Sequence, residues 1–194
     1  MMEPTPVYIC TGFLDSGKTL LVKDTLMEQE WIEPGLTLLI LCEEGEEEYS
    51  KEYLEENDMV LLNYHPAQII IEYNGMWKLE DLLQLKYPRK WQIQGIYSTV
   101  NGTTLDMYLK NMRNMLMEQL TESELIIINR CPEGVDRSGF RRALKVQNPM
   151  AQLIFEGMDG KIIQPTAEDL PFDIKENPIK VEDEDFGIWY VDAY

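Results

Sequence analysis

Six short apolar runs punctuate the chain, at residues 7–10, 36–41, 68–71, 95–100, 125–128 and 153–155. None alternates apolar with polar side chains as a strand with one wet face must, so each reads as a strand buried on both faces. The segments between them carry apolar residues three and four apart. In the clearest, residues 103–119, Leu105, Tyr108, Leu109, Met112, Met115 and Leu116 mark one helical face. Its methionines read as core packing, with a partner-binding surface as the alternative. Strands interleaved with helices predict an α/β fold, a mostly parallel sheet covered by helices on both faces. After residue 155 the texture changes: Gly157, Gly160, Pro165, Pro171 and Pro178 interrupt acidic sequence. Residues 1–157 therefore read as one domain and 158–194 as an extension. The aromatic end of that extension fits either the start of a further module or a strand folding back on the domain.

The junction between the first strand and the first helix spells Gly12-Phe13-Leu14-Asp15-Ser16-Gly17-Lys18-Thr19. This is G-x-x-x-x-G-K-[ST], the phosphate-cradling P-loop of nucleoside triphosphatases, in the strand–loop–helix context it needs. Gly12 and Gly17 let the backbone turn tightly, so that N–H groups through Ser16, Lys18 and Leu20, with the positive end of the following helix, converge on an anion. Lys18 brings a point charge to the β- and γ-phosphates, and Thr19 a hydroxyl for Mg2+. Asp15, a carboxylate inside an anion-binding loop, has to point away from the phosphates or toward a metal or partner.

Two acidic elements follow. Between Glu43 and Asp58 lie nine acids and one lysine, a block that reads mainly as a solvated helix or loop. Its first members, Glu43, Glu44 and Glu46, directly follow the second strand, where open α/β sheets place their ligands, and so become candidates for Mg2+. Glu72 ends the run Ile69-Ile70-Ile71, the place for a carboxylate that holds magnesium or orients an attacking water, and Gly75 could offer a backbone N–H to the γ-phosphate. The predicted fold is thereby sharpened to a three-layer P-loop nucleotide-binding domain.

Thirty-five acidic against seventeen basic residues give a net charge of −18, which argues against nucleic acid or an anionic membrane surface as partner. No apolar run approaches the roughly 18 residues of a membrane helix, and nothing resembles a signal peptide, so a cytoplasmic protein is expected. Cys10, Cys42 and Cys131 are far apart and form no C-x-x-C pair. They read as small buried thiols rather than a disulfide framework or zinc site. His65, the one histidine, precedes Pro66 in a turn-like stretch and reads as a surface residue.

Taken in order, these elements resemble the CobW-type GTPases, over most of residues 5–156. The T-G-F-L lead-in at Thr11-Gly12-Phe13-Leu14 is more specific than the phosphate motif itself. Cys42-Glu43-Glu44-Gly45-Glu46 is similar to the family's N-E-x-G-E element, and Ile71-Glu72-Tyr73-Asn74-Gly75 to its I-E-x-x-G element. Gln119 followed by Leu125-Ile126-Ile127-Ile128-Asn129-Arg130 looks like the approach to the guanine-recognition motif N-K-x-D, and Asn148-Pro149-Met150-Ala151 resembles the N-P-x-A before the last core strand. The resemblance implies GTP and GDP as ligands and Mg2+ as cofactor. It makes Lys18 and Glu72 the catalytic groups, Asn129 and Arg130 part of the base site, and Thr19, Glu43, Glu46 and Glu72 the magnesium side. It further implies slow hydrolysis, a role in metal homeostasis or metallocofactor assembly through a protein partner such as a metalloprotein or transport component, and a nucleotide-dependent homodimer.

Two departures stand out. The family's C-x-C-C metal motif has no counterpart, and Asn129-Arg130-Cys131-Pro132 replaces N-K-x-D, so proline stands where an aspartate would pair with guanine. Glu133 is the nearest substitute acceptor, and Arg130 could stack on the base. Two alternatives are carried alongside: a small-molecule kinase with Arg137-Ser138-Gly139-Phe140-Arg141-Arg142 as basic lid, and a non-hydrolysing nucleotide-binding interaction module.

Overall fold

The computed structural model describes residues 4–23, 36–42, 49–56, 59–60, 66–163, 180–183 and 187–190. Glu43, Glu44, Glu46 and His65 lie outside the described residues. Strands β1 (Thr5–Thr11), β2 (Thr37–Leu41), β3 (Met59–Val60), β4 (Gln68–Glu72), β5 (Trp91–Asn101), β6 (Leu125–Cys131) and β7 (Gln152–Gly157) form one seven-stranded sheet in the order β3-β2-β4-β1-β5-β6-β7. Every pairing in it is parallel. All six runs read from the sequence are strands. The edge strand β3 was not among them, although the sequence there carries the apolar run Met59-Val60-Leu61-Leu62.

Helices α1 (Lys18–Leu20), α2 (Lys51–Glu56), α3 (Leu79–Leu83), α4 (Leu105–Asn111), α5 (Arg113–Leu120) and α6 (Arg137–Lys145) connect the strands. Alternate residues of each buried strand serve opposite faces. From β1, Tyr8 and Cys10 pack with Leu21 and Val22 beyond α1 and with Leu54 of α2, while Val7 and Ile9 pack with Leu79 and Leu82 of α3. In β6, Leu125 and Ile127 join the first group, and Ile126 and Ile128 meet Leu116 and Leu120 of α5 and Phe140 and Leu144 of α6. This is the three-layer P-loop architecture expected, with β1 central and fully enclosed.

The helix expected over 103–119 is two helices, separated at Met112, whose φ of −135° and ψ of 31° leave the helical region. The apolar spacing continues through the break, so periodicity alone does not show it. Both halves face one cluster: Leu105 of α4 is buried with Phe13 and with Leu116, Met117 and Leu120 of α5, and Tyr108 of α4 meets the Phe13 ring edge-on at 4.8 Å.

Asn148, in the N-P-x-A element, joins α5 to β7. Its Nδ2 donates to the carbonyls of Leu120 at 2.9 Å and Ser123 at 2.7 Å, and its Oδ1 accepts from the Ala151 N–H at 3.1 Å. Asn148→Ala leaves the Ser123 carbonyl and the Ala151 N–H without this partner, while the Leu120 carbonyl still accepts from the Ser123 N–H, and a loss of about 2–3 kcal/mol in denaturant-derived stability is expected. Beyond β7 the chain turns back, with Glu156 bridged to Ile162 and the Ile163 N–H donating to Phe155 O at 2.7 Å. Strands β8 (Lys180–Asp183) and β9 (Gly187–Tyr190) pair antiparallel with each other in a separate two-stranded sheet. Among the described residues no helix is long and apolar enough to cross a membrane.

Candidate functional site

The loop between β1 and α1 adopts the curl its glycines permit. Gly12 has φ of 134° and Gly17 φ of 94°, both in the region that disfavours side chains. Inside the curl Lys18 is 4 % exposed. Its Nζ donates to Gly12 O at 2.9 Å and Phe13 O at 3.0 Å, which fixes the ammonium where an oxyanion held by the loop N–H groups would sit. Ser16 is turned inward, its Oγ sharing a 2.8 Å hydrogen bond with Thr99 Oγ1 of β5. Leu20, 37 % exposed, belongs to the loop only through its backbone in the first helical turn.

Asp15 takes the outward course. It sits at φ of 55°, more than half exposed, and lies 3.5 Å from Nη1 of Arg130, which also donates to Asp15 O at 3.1 Å. Arg130 itself has φ of 50°, at a place where β6 slips register between Ile128 and Cys131. That slip brings Asn129 under the loop: its Nδ2 donates to Ser16 O at 2.8 Å, and a Cβ on Gly17 would meet the same Nδ2 at 2.6 Å. Asn129 Oδ1 is buried and accepts no hydrogen bond. Pro132 begins a turn closed by the Val135 N–H, and Glu133 is exposed.

Glu72, at the carboxyl end of β4 and 4 % exposed, closes the other side. Its Oε1 accepts the Thr19 hydroxyl at 2.7 Å and its Oε2 the Tyr49 hydroxyl at 2.7 Å. Burial first, and then the Glu72 carboxylate, push the Tyr49 phenol well above its ordinary range, so Tyr49 remains a donor. The same two causes in the same order raise the neighbouring Cys10 thiol. Cys131 is pushed by burial to about 11, and both thiols are inert near neutrality.

The structure thus brings together Gly12, Ser16, Gly17, Lys18, Thr19, Glu72, Gly75 and Asn129. Gly75 presses on the loop, its Cβ position being 2.2 Å from Gly12 O. Glu43 and Glu46, the other magnesium candidates, are outside the described residues. Among the described residues Thr19 and Glu72 bring oxygen donors together, and no group of three or more His, Cys, Asp or Glu could hold a metal by itself. Thr19 and Glu72 suit a hard cation whose remaining ligands are phosphate oxygens and water.

Sequence reasoning missed two contributors. Tyr49 and Thr99 are ordinary residues in their own segments, and only tertiary contact gives them a role. Gln119, quoted from the sequence only as part of the approach to the base motif, is 2 % exposed. It accepts from Thr11 Oγ1 at 2.5 Å and donates to Trp77 O, tying β1 to the segment after Glu72. The arginines considered as a lid belong to α6, which is capped by Asp136 (Oδ1 to Gly139 N, 2.8 Å) and anchored by buried Phe140 and Leu144. A larger cavity of about 510 Å³ lies elsewhere, walled mainly by aromatic and aliphatic residues such as Tyr73, Trp77, Tyr87 and Trp91.

No protein-family model and no curated protein sequence matches the chain. Solved structures do. The zinc-bound YjiA GTPase from E. coli aligns with TM-score 0.56 and 15 % identity, over 100 % of this chain and 67 % of that one. A zinc-bound triple mutant of YjiA aligns with TM-score 0.55 and 17 % identity, over 79 % of this chain, which spans 58 % of the mutant's length. The hydrogenase maturation factor HypB from Archaeoglobus fulgidus aligns with TM-score 0.47 and 19 % identity, over 80 % of this chain and 81 % of that one. The YjiA alignments establish the shared fold.

Proposed function

We propose that the chain is a magnesium-dependent switch of CobW type that binds GTP, hydrolyses it slowly and acts in the cytoplasm on a protein partner. The observation that carries this reading is the pairing of a buried Lys18 ammonium held inside the 12–19 curl with a Thr19 hydroxyl 2.7 Å from Glu72. The fold shared with a GTPase and the motif series of the sequence support it.

Each residue's part follows from its contacts. Loop N–H groups and Lys18 would bind the β- and γ-phosphates and stabilise negative charge as the γ-phosphoryl leaves. The Thr19 hydroxyl donates its hydrogen bond to Glu72, which leaves the Thr19 Oγ1 lone pairs available for a cation. Magnesium, when bound, neutralises charge shared between the two phosphates. Glu72 has a donor on each oxygen, which suits orienting a ligand or water better than abstracting a proton, and slow turnover follows. On the base side, Asn129 offers its unpaired Oδ1; an unmet buried acceptor costs on the order of 1–3 kcal/mol, which a base N–H could recover. Pro132 has no side-chain acceptor, so the preference for guanine over adenine is expected to be weaker than an aspartate would give.

Both YjiA structures hold zinc, which supports an output in metal handling. With no C-x-C-C motif, that output would run through a partner, a metalloprotein or transport component, with a nucleotide-dependent homodimer as the active assembly. Calorimetric titration of GTP, GDP and ATP with Mg2+, followed by phosphate-release kinetics, tests the reading. Guanine preference with release slower than about one per minute supports it. ATP preference with phosphoryl transfer to a metabolite would favour a kinase, and no binding at millimolar nucleotide would sink both.

A further inference from the structure

We infer that Tyr49 is a positioning residue for the magnesium side of the site, acting through Glu72. The inference rests on the nucleotide-binding reading above and goes beyond it by assigning a role to a residue outside every motif.

The terminal torsion of a glutamate is broad, so a buried carboxylate needs donors to choose its orientation. Glu72 has one on each oxygen, Thr19 Oγ1 and Tyr49 OH, both at 2.7 Å. The Tyr49 bond fixes the carboxylate plane, and that plane decides where the Thr19 proton points and therefore where its lone pairs face. Loss of the Tyr49 hydroxyl would leave Oε2 unpaired in a buried place and free Glu72 to turn, so that Thr19 would lose its defined acceptor.

The tyrosine ring is held independently of its hydroxyl. Lys23 Nζ lies 5.2 Å from the Tyr49 ring centroid, and the Tyr53 ring lies 6.0 Å away. Lys23 follows Thr19 by four residues, so Tyr49 is tied to the stretch that follows the phosphate loop at two points, through Glu72 and through Lys23. Tyr49 also follows the Glu43-Glu44-Gly45-Glu46-Glu47-Glu48 run directly in sequence. The residue that sets the magnesium-side carboxylate is therefore covalently next to the acidic segment.

Tyr49→Phe removes only the hydroxyl and keeps the ring. With a fluorescent GDP analogue bound, the Mg2+ concentration at half-saturation is expected to rise about tenfold in Tyr49→Phe, whereas affinity in EDTA stays at the wild-type value. A merely structural role would lower both affinities together. A second measurement uses the unmutated protein carrying 3-fluorotyrosine at its ten tyrosines. The fluorine resonance missing from Tyr49→Phe identifies position 49, and it should shift when Mg2+ is added to the GDP complex and stay put when GDP is added with EDTA. An unchanged Mg2+ midpoint, equal losses with and without Mg2+, or a resonance indifferent to Mg2+ would overturn the inference while leaving nucleotide binding intact. No nucleotide binding by the unmutated protein would overturn the functional reading and this inference together.

Discussion

Lys18→Ala is expected to lower affinity for GTP and GDP with Mg2+ by at least about a hundredfold while leaving the fold in place. The magnitude comes from losing charge-assisted hydrogen bonds to two phosphates, on the order of 1.5–3 kcal/mol each, where about 1.4 kcal/mol is a factor of ten. The fold is spared because the loop curl does not depend on Lys18 alone. Gly12 and Gly17 supply its turns, and Asn129 and Thr99 hold Ser16 from below by its carbonyl and hydroxyl. Removing a buried ammonium also takes its hydrogen bonds from the carbonyls of Gly12 and Phe13, the latter still accepting from the Ser16 N–H, so a small stability loss of about 1 kcal/mol should accompany the binding defect. Isothermal titration and thermal melts on one preparation separate the two effects. Near-normal GTP affinity in the variant would mean that phosphate is not bound in the loop.

The second large effect is expected at Gly75, where the requirement is space. An added Cβ would lie 2.2 Å from Gly12 O, 2.6 Å from Phe13 Cα and 2.9 Å from Gly12 C. All three are backbone atoms, so no side chain can swing aside, and Gly12 has no room to retreat because its own Cβ position is 2.3 Å from Thr99 O. Gly75→Ala therefore has to push the segment after β4 off the phosphate loop. A destabilisation of roughly 2–4 kcal/mol is expected, with a melting temperature lower by roughly 2–4 °C per kcal/mol for a chain of this size. Gly134→Ala is the comparison. Gly134 has φ of 74° and open space around its Cβ position, so only the conformational cost of about 1 kcal/mol applies there. If Gly75→Ala costs no more than Gly134→Ala, the close approach does not constrain the fold.

Gly75 also shows how far the sequence could be read. Its motif and its place three residues after Glu72 were legible, and they suggested an N–H donor to phosphate. The close approach to Gly12 was not legible, because it depends on how β1 and β4 lie side by side. The six longer strands were readable because burial on both faces leaves a continuous apolar run. The edge strand β3 also carries such a run, Met59-Val60-Leu61-Leu62, and was passed over because it directly follows the acidic 43–58 block. The break at Met112 was hidden for another reason: the apolar face continues across it and both halves pack on the same core, so the spacing carries no mark of the change in backbone angles. At the site, Lys18, Thr19, Glu72 and Asn129 were found because their chemistry is tied to fixed spacing. Tyr49 and Thr99 were not, since a phenol or a hydroxyl acquires its role only from what it touches.

The parallel sheet also imposes an order of events during synthesis. β1 is made early but pairs only with β4 and β5, the latter ending at Asn101. Ser16 must wait for Asn129, 113 residues later, before its carbonyl is held from below. At about 5–20 residues per second the ribosome needs at least several seconds to supply those partners, and until then the glycine-bearing curl has only its own Lys18 and Ser16 hydrogen bonds to hold it. Non-local pairing of this kind slows folding. The phosphate loop, though translated before the strands that hold it, should therefore be among the last of these elements to become competent, and nascent chains halted before β6 should be unable to retain nucleotide.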